Sequence, residues 1–303
     1  MAAGRGDANG DALRTVQAPA TGTYLGAYVN PSGSDGGGTI EQVLGDLPAF
    51  RQQMGRSPAI VSVYQPWTYP WVRNDNLIEI ADSYGAIPMV SWHCGDTNER
   101  IASGADDALI FRFAEQLKKY ARPVLLRWFW EANLPNPDCL GTGTRAEQAA
   151  QYVAAFRRIA RIFDIDGASN VAFVWATSGA WVAAPMEMFY PGDQYIDWIG
   201  VDGYDRQQRG REAFTALFSH WYELFAGRRK PMIVTDTGAT TDQAEFLQGI
   251  AEVLPRDFPA IKALVYFDSV AGIDWRLSSY GGAGFTAFVG LGRNPLFAAI
   301  PEA

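Results

Sequence analysis

The sequence predicts a single (β/α)8 TIM barrel of the α/β class, on three observations. Eight strand-like runs alternate with helix-like segments along the chain. The runs are apolar almost throughout, as parallel strands buried on both faces must be. Their C-terminal ends carry aromatic and ionisable side chains, and that is the end of a barrel where chemistry is placed.

The runs fall at residues 24–30, 59–65, 87–93, 124–131, 171–178, 196–204, 232–239 and 261–269. Between the third and fourth, Leu109, Ile110, Phe113, Leu117 and Tyr120 recur at helical spacing over 106–120 and form one stripe. Between the fourth and fifth, Tyr152, Phe156, Ile159 and Phe163 do the same over 144–163. Thr144 followed by Glu147 has capping-box spacing and marks that helix start. A doubly wound open sheet is the competing fold, but no Gly-x-Gly-x-x-Gly follows the first strand. Residues 23–303 read as one domain, without internal repeats. Residues 1–22, rich in Gly, Ala and Asp and without an apolar core, read as a flexible leader or linker stub rather than a signal peptide. The loop 31–38 holds four glycines and is expected to be mobile.

Composition narrows the function. The 303 residues are 48% hydrophobic, enough for a large core. A net charge of −8 and the lack of a basic face argue against nucleic acid and against an anionic membrane surface. No apolar run approaches spanning length. Ten Trp, thirteen Tyr and seventeen Phe are the conspicuous excess, and flat rings beside carboxylates suit the apolar faces of sugars. There are two cysteines, Cys94 after the third run and Cys139 in the loop after Glu131. Both loops belong to one rim, so a disulfide and two unrelated thiols are both open. Their scarcity suits a secreted protein whose signal peptide lies outside this sequence. Two cysteines and one nearby histidine are a poor zinc set, so neither a metal nor a cofactor is expected. A monomer acting on a polysaccharide or oligosaccharide is the expected state.

The sharpest chemical signal is a pair of carboxylates. Glu131 closes the run Val124-Leu125-Leu126-Arg127-Trp128-Phe129-Trp130-Glu131, and Asp236 lies in Met232-Ile233-Val234-Thr235-Asp236-Thr237-Gly238. Two carboxylates at the ends of different buried strands are what glycosidic cleavage needs: one protonates the leaving oxygen, the other attends the anomeric carbon. The structural alternative is a strand-end acid held in a salt bridge. Around them, at other strand ends, stand Trp67, Trp92, His93, Arg127, Trp130, Asn133, Trp181, Tyr204, Trp275 and Arg276. His220, the other histidine, lies in the helical stretch 211–225 and reads as a packing or surface residue.

With these residues in view, the chain resembles glycoside hydrolase family 26, the endo-β-mannanase type, from Tyr24 onward. Arg127-Trp128-Phe129-Trp130-Glu131-Ala132-Asn133 is similar to the family's Arg-x-x-His-Glu-Met-Asn, and Lys230-Pro231-Met232-Ile233-Val234-Thr235-Asp236-Thr237-Gly238 to its Lys-Pro-Ile-x-x-x-Glu-x-Gly. Ser91-Trp92-His93, Asp197-Trp198-Ile199-Gly200-Val201-Asp202-Gly203-Tyr204, and Phe267-Asp268 with Asp274-Trp275-Arg276 match in order. The resemblance implies a retaining glycosidase with Glu131 as acid/base and the strand-seven carboxylate as nucleophile. It implies that Tyr204 hydrogen-bonds that nucleophile and that His93, Trp275 and Arg276 line the sugar site.

Two departures bear on mechanism. Trp130 stands where the family has His, and Asp236 where it has Glu. Aspartate is shorter by one C–C bond, about 1.5 Å. Retaining enzymes hold their carboxyls roughly 5–5.5 Å apart and inverting ones roughly 6.5–9.5 Å. Three outcomes are therefore open: retention with an adjusted backbone, inversion through a water held by Asp236, or an impaired site that only binds glycan. An Asp236→Glu change is expected to preserve or raise activity if Asp236 is a short-armed nucleophile, and to abolish it if an inverting water is needed, because the longer arm fills that water's place.

Overall fold

The computed structural model describes residues 16–33, 38–180 and 183–301. Eight parallel strands close into a barrel in sequence order: β1 Tyr24–Val29, β2 Ile60–Gln65, β3 Ile87–Trp92, β4 Val124–Trp128, β5 Val171–Ser178, β6 Trp198–Asp205, β7 Met232–Ala239 and β8 Ile261–Asp268. β8 pairs back to β1 from Tyr24↔Ala263 to Val29↔Asp268, so the barrel itself has no open edge. The (β/α)8 expectation holds, and each strand falls within a few residues of its expected span.

Helices α1 Ile40–Met54, α2 Asn74–Tyr84, α3 Asn98–Ser103, α4 Asp107–Tyr120, α5 Pro137–Leu140, α6 Arg145–Asp166, α7 Ala213–Phe225, α8 Gln243–Asp257 and α9 Ala283–Arg293 lie between and after the strands. The Thr144–Glu147 capping box opens α6, and Thr39 with Gln42 opens α1 the same way. A short hairpin, β9 Val270–Ala271 and β10 Ile273–Asp274, follows β8.

Two apolar clusters follow from the two faces of each strand. Leu126, Phe173, Val201 and Val234 point outward, to helix residues such as Phe156, Phe163 and Phe218. Tyr24, Ile60, Met89, Leu125, Val174, Trp198, Ile233 and Val265 fill the barrel axis near the strand starts. Each such Leu, Ile or Val contributes about 1.5–3 kcal/mol by leaving water.

The folded body begins earlier than residue 23. Val16 is buried in the axial cluster, and Trp198 Nε1 donates to its carbonyl at 3.2 Å. The leader assigned to residues 1–22 therefore has at least one anchored residue. Residues 1–15, and residues 34–37 of the glycine loop expected to be mobile, lie outside the described residues. No helix among the described residues is long and apolar enough to cross a membrane.

Candidate active site

Side chains alternate along a strand, so the residues that continue the axial parity upward face the same interior. That parity carries β4 from Leu125 to Arg127, β3 from Met89 to Ser91, β2 from Ile60 to Tyr64, and β6 from Trp198 to Asp202. Above the apolar layers the axis thus becomes polar. β7 departs from strict alternation. Its register with β6 shifts between Val201↔Val234 and Asp202↔Asp236, and it shifts against β8 between Val234 and Thr237. This extra residue lets both Thr235 and Asp236 reach the polar interior: Thr235 Oγ1 donates to Asp202, while Asp236 accepts from Arg127 and Tyr64. Bulges re-aim side chains in this way beside active sites.

Arg127 is the hub. It is fully buried, and its Nε donates to Ser91 Oγ at 3.0 Å. Nη1 donates to both oxygens of Asp202, at 2.9 and 3.1 Å, and Nη2 donates to Asp236 Oδ2 at 2.6 Å. Tyr64 Oη donates to the same Oδ2 at 2.9 Å and accepts from Arg127 Nη2 at 3.3 Å. Asp236 is 1% exposed, and its Oδ1 is buried without a hydrogen-bond partner among the described residues.

One guanidinium thus faces two carboxylates in a dry interior, which leaves a deficit of positive charge. Burial pushes Asp236 above the usual carboxylate range, against the pull of Arg127 and of the hydrogen bonds from Arg127 and Tyr64. Burial lifts Asp202 well above that range too. Arg127 opposes the shift, and Asp236 and Glu131 reinforce it.

Glu131 reaches the same region by a different route. β4 ends at Trp128, not at residue 131, and Phe129 (φ 43°) and Glu131 (φ 58°) take left-handed backbone. Neighbouring strands over-determine this turn: Phe129 N–H donates to Trp92 O at 3.0 Å and Glu131 N–H to Ala176 O at 3.1 Å. Non-glycine residues held this way cost about 1–3 kcal/mol each and cluster at functional sites. The Glu131 side chain is half-buried and lines a cavity of about 170 Å³ with His93, Cys94, Phe129, Trp130, Leu134, Pro135 and Asn136. Burial raises its carboxyl above the usual value. The Ser178 hydroxyl and Arg127 oppose the shift, and Asp236 adds to it. Desolvation holds His93 below the usual imidazole range, so it is a neutral hydrogen-bonding group at neutral pH. Trp130 covers the site, with Tyr64 edge-on at 5.0 Å and the Arg127 guanidinium 5.3 Å from its ring.

Several of the residues expected to contact sugar are engaged with other side chains and backbone of the protein. Arg127 is enclosed, and its guanidinium is committed to Ser91, Tyr64 and the two carboxylates. Asn133 is buried: its Nδ2 donates to Ser178 O at 2.9 Å and Ala184 O at 3.2 Å, and its Oδ1 accepts from Ser178 N–H at 2.8 Å. It ties the β5 end to the β4 loop. Trp92 is fully buried, stacks on Trp67 at 4.2 Å and donates to the Trp67 carbonyl at 3.2 Å. Both rings pack the β2–β3 end. Trp275 is 2% exposed, lies 4.7 Å from the Tyr204 ring and is capped by the Arg206 guanidinium. Arg276 is ion-paired to Asp274 at 2.7 Å. Among the described residues, Tyr204 makes no hydrogen bond to Asp236. Its ring turns to Trp275 and Phe267, and the phenol that bonds Asp236 is Tyr64. Trp181 lies outside the described residues.

Tyr64, Ser178 and Asp202 are the site residues that sequence reasoning passed over as carriers of the chemistry. The signal for Tyr64 and Asp202 was their parity with the axial residues below them. Cys94 and Cys139 are joined in a disulfide with Cα atoms 5.9 Å apart, which ties the β3 exit to α5 in the loop that follows Glu131. Their sulfurs and a His93 ring nitrogen lie within 4.8 Å of one another, but the bridge engages both sulfurs.

Comparisons with known proteins agree with this architecture. The family described as glycosyl hydrolase family 26 matches residues 56–284. Endoglucanase H of Acetivibrio thermocellus is 28% identical over 273 residues, covering 86% of this chain and 29% of that protein. A Vibrio β-1,3-xylanase, TXYA, is 28% identical over 181 residues, covering 56% of this chain and 38% of that one. The chain therefore spans less than two-fifths of the length of these relatives. Among solved structures, Bacillus subtilis mannanase man26 superposes with a TM-score of 0.63 at 19% identity, covering 88% of this chain and 85% of that one. The YdhT protein of Bacillus subtilis gives 0.62 at 20% identity, covering 93% and 86%. These superpositions establish a shared barrel.

Proposed function

Because the chain belongs to glycosyl hydrolase family 26, we propose that it is an endo-acting glycoside hydrolase that cleaves a β-linked polysaccharide. Mannan is the first candidate substrate, with mixed-linkage glucan and xylan next. The mannanase fold neighbour supports the first, and the relatives named endoglucanase and β-1,3-xylanase support the others. The protein acts outside the cell, in keeping with its disulfide.

The observation that carries this reading is the pairing of a half-buried Glu131 on the cavity wall with a buried Asp236 held by Arg127 and Tyr64, at one end of the barrel. Glu131 donates its proton to the leaving glycosidic oxygen as the bond to C1 breaks. Asp236 attacks C1 from the opposite face, and Glu131 then deprotonates the water that releases the sugar with retained configuration. Neutral His93 and the face of Trp130 bind the sugar beside the scissile bond. Activity requires Asp236 ionised and Glu131 protonated. Both carboxyls are raised, so the active window lies above the ordinary carboxylate range on both limbs.

The test is release of reducing ends from β-1,4-mannan, mixed-linkage glucan, and β-1,4- and β-1,3-xylan, beside Asp236→Asn and Glu131→Gln. Cleavage of none of the four by the wild type removes the proposal and leaves a glycan-binding relative. Proton NMR of the first-formed anomer decides between retention and the inverting route that a shorter aspartate arm favours.

A further inference from the structure

We propose that Tyr64 is the positioning residue for the strand-seven carboxylate, and that Tyr64 and Asp236 are a length-matched pair. The inference rests on the reading of Asp236 as the carboxylate that attends the anomeric carbon.

The geometry assigns the two oxygens of Asp236 different tasks. Oδ2 is committed, accepting from Tyr64 Oη at 2.9 Å and from Arg127 Nη2 at 2.6 Å. Oδ1, though buried, has no hydrogen-bond partner among the described residues and is the oxygen left for C1 once sugar displaces what covers it. A carboxylate tethered by one oxygen presents the other in a fixed direction, so the phenol acts through Asp236 without touching the sugar. The neighbouring strand does not supply this tether. Tyr204, opposite Gly238 in the β6–β7 register, packs on Trp275. Tyr64 reaches across from β2.

Tyr64 cannot readily retreat. Its ring meets Tyr28 edge-on at 4.9 Å and Trp130 at 5.0 Å, with the Arg127 guanidinium 5.8 Å from its centroid. A glutamate at position 236 would carry its carboxylate about 1.5 Å further along the same direction. From a 2.9 Å starting distance that drives an oxygen into Tyr64 Oη or displaces it from Arg127. The short arm of Asp236 and the phenol that fills the space before it are therefore one adaptation. This reverses the expectation from sequence alone that Asp236→Glu preserves activity where Asp236 is the nucleophile.

The groups that face Asp236 are Arg127 on β4, Tyr64 on β2, Asp202 and Tyr204 on β6, Tyr28 on β1 and Glu131 at the β4 exit. Of these, Arg127 and Tyr64 donate hydrogen bonds to it. Removing the Tyr64 donor leaves Asp236 easier to protonate, and the acid limb of kcat/KM moves to higher pH.

The experiment uses the whole chain on β-1,4-mannan, or on mixed-linkage glucan if that is the polysaccharide cleaved. Tyr64→Phe keeps the ring and removes only the hydroxyl. It is expected to lower kcat about 10- to 100-fold, with KM changed by less than about 3-fold, and to move the acid limb upward. Asp236→Glu alone is expected to fall more than about 100-fold, and Tyr64→Phe combined with Asp236→Glu to recover at least about 10-fold of that loss. Replacing Tyr64 by 3-fluorotyrosine, a stronger donor with the same packing, moves the acid limb downward, and this decides the matter if Tyr64→Phe folds poorly. Wild-type kcat and acid limb in Tyr64→Phe, an unmoved limb in the fluorotyrosine protein, or a double variant no better than Asp236→Glu would each overturn the pairing. Those outcomes leave the role of Asp236 intact if Asp236→Asn is inactive. Full activity in Asp236→Asn removes both.

Discussion

The two halves of the barrel axis are built from the same strands and the same alternation, yet they solve opposite problems. Near the strand starts, Tyr24, Ile60, Met89, Leu125, Val174, Trp198, Ile233 and Val265 interdigitate in an almost wholly apolar plug. Near the strand ends, Ser91, Arg127, Asp202, Thr235 and Asp236 are equally buried but joined by hydrogen bonds and ion pairs. The lower half gains stability from every side chain it encloses. The upper half gives stability up: it buries two carboxylates against one guanidinium and bends Phe129 and Glu131 into left-handed backbone. Position along the strand, not burial, separates support from chemistry.

The largest expected effect lies at the upper rim. Glu131→Gln should lower polysaccharide turnover by about three orders of magnitude or more, because the leaving oxygen loses its proton donor. An aryl glycoside with a very acidic leaving group needs little protonation and should lose far less in the cleavage step. Equal losses for both substrates in single-turnover kinetics would show that Glu131 is not the acid.

A paired substitution sharpens the contrast between the halves. Leu125→Ala in the lower plug should cost about 2–5 kcal/mol by leaving a cavity, with the pH profile of activity unmoved. Arg127→Met, directly above, should cost about 3–5 kcal/mol by leaving Asp202 and Asp236 uncompensated, and should also displace the acid limb upward. Denaturant melts give the energies and kcat/KM profiles give the limb. If both variants leave the profile unchanged, Arg127 has no electrostatic role.

The rim is stapled where the plug is not. The Cys94–Cys139 bridge closes a segment with a sequence separation of 45 residues. In the chain-entropy model such a bridge stabilises by roughly 4 kcal/mol. A thiol reductant is expected to lower Tm by several degrees. Titration of two free thiols in the unfolded, unreduced protein would rule the staple out.

The smallest effect concerns Asp268, buried at the end of β8, where it accepts from Leu277 N–H at 2.8 Å. Burial first, against that hydrogen bond, pushes its carboxyl up to about 7 from an ordinary 3.8. The folded protein therefore binds this proton more tightly than the unfolded chain. The associated stability is fully present below pH ~4 and is lost as pH rises toward ~7. Asp268→Asn is neutral at all pH and should flatten that decline, raising stability at pH 8 by on the order of 2 kcal/mol relative to wild type. An unchanged slope of Tm against pH in the variant would show that Asp268 titrates normally.

Much of this was legible in the chain, because it depends on local periodicity. Apolar runs with helical stripes between them specify a closed parallel barrel, since such runs can bury both faces in few other ways. Val171–Ser178 and Met232–Ala239 coincide with their expected spans, and the Thr144–Glu147 box starts α6. The placement of Glu131 and His93 on one cavity follows from their positions at the ends of neighbouring strands. What only the tertiary structure decided is which polar group meets which. The register shift that turns Asp236 inward, the choice of Tyr64 over Tyr204 as its partner, and the enclosure of Arg127 and Asn133 all depend on strands far apart in sequence. A strand's own pattern states which residues share a face. How far its neighbour is staggered is set by packing around the whole barrel, and a displacement of one residue moves a carboxylate from one set of partners to another.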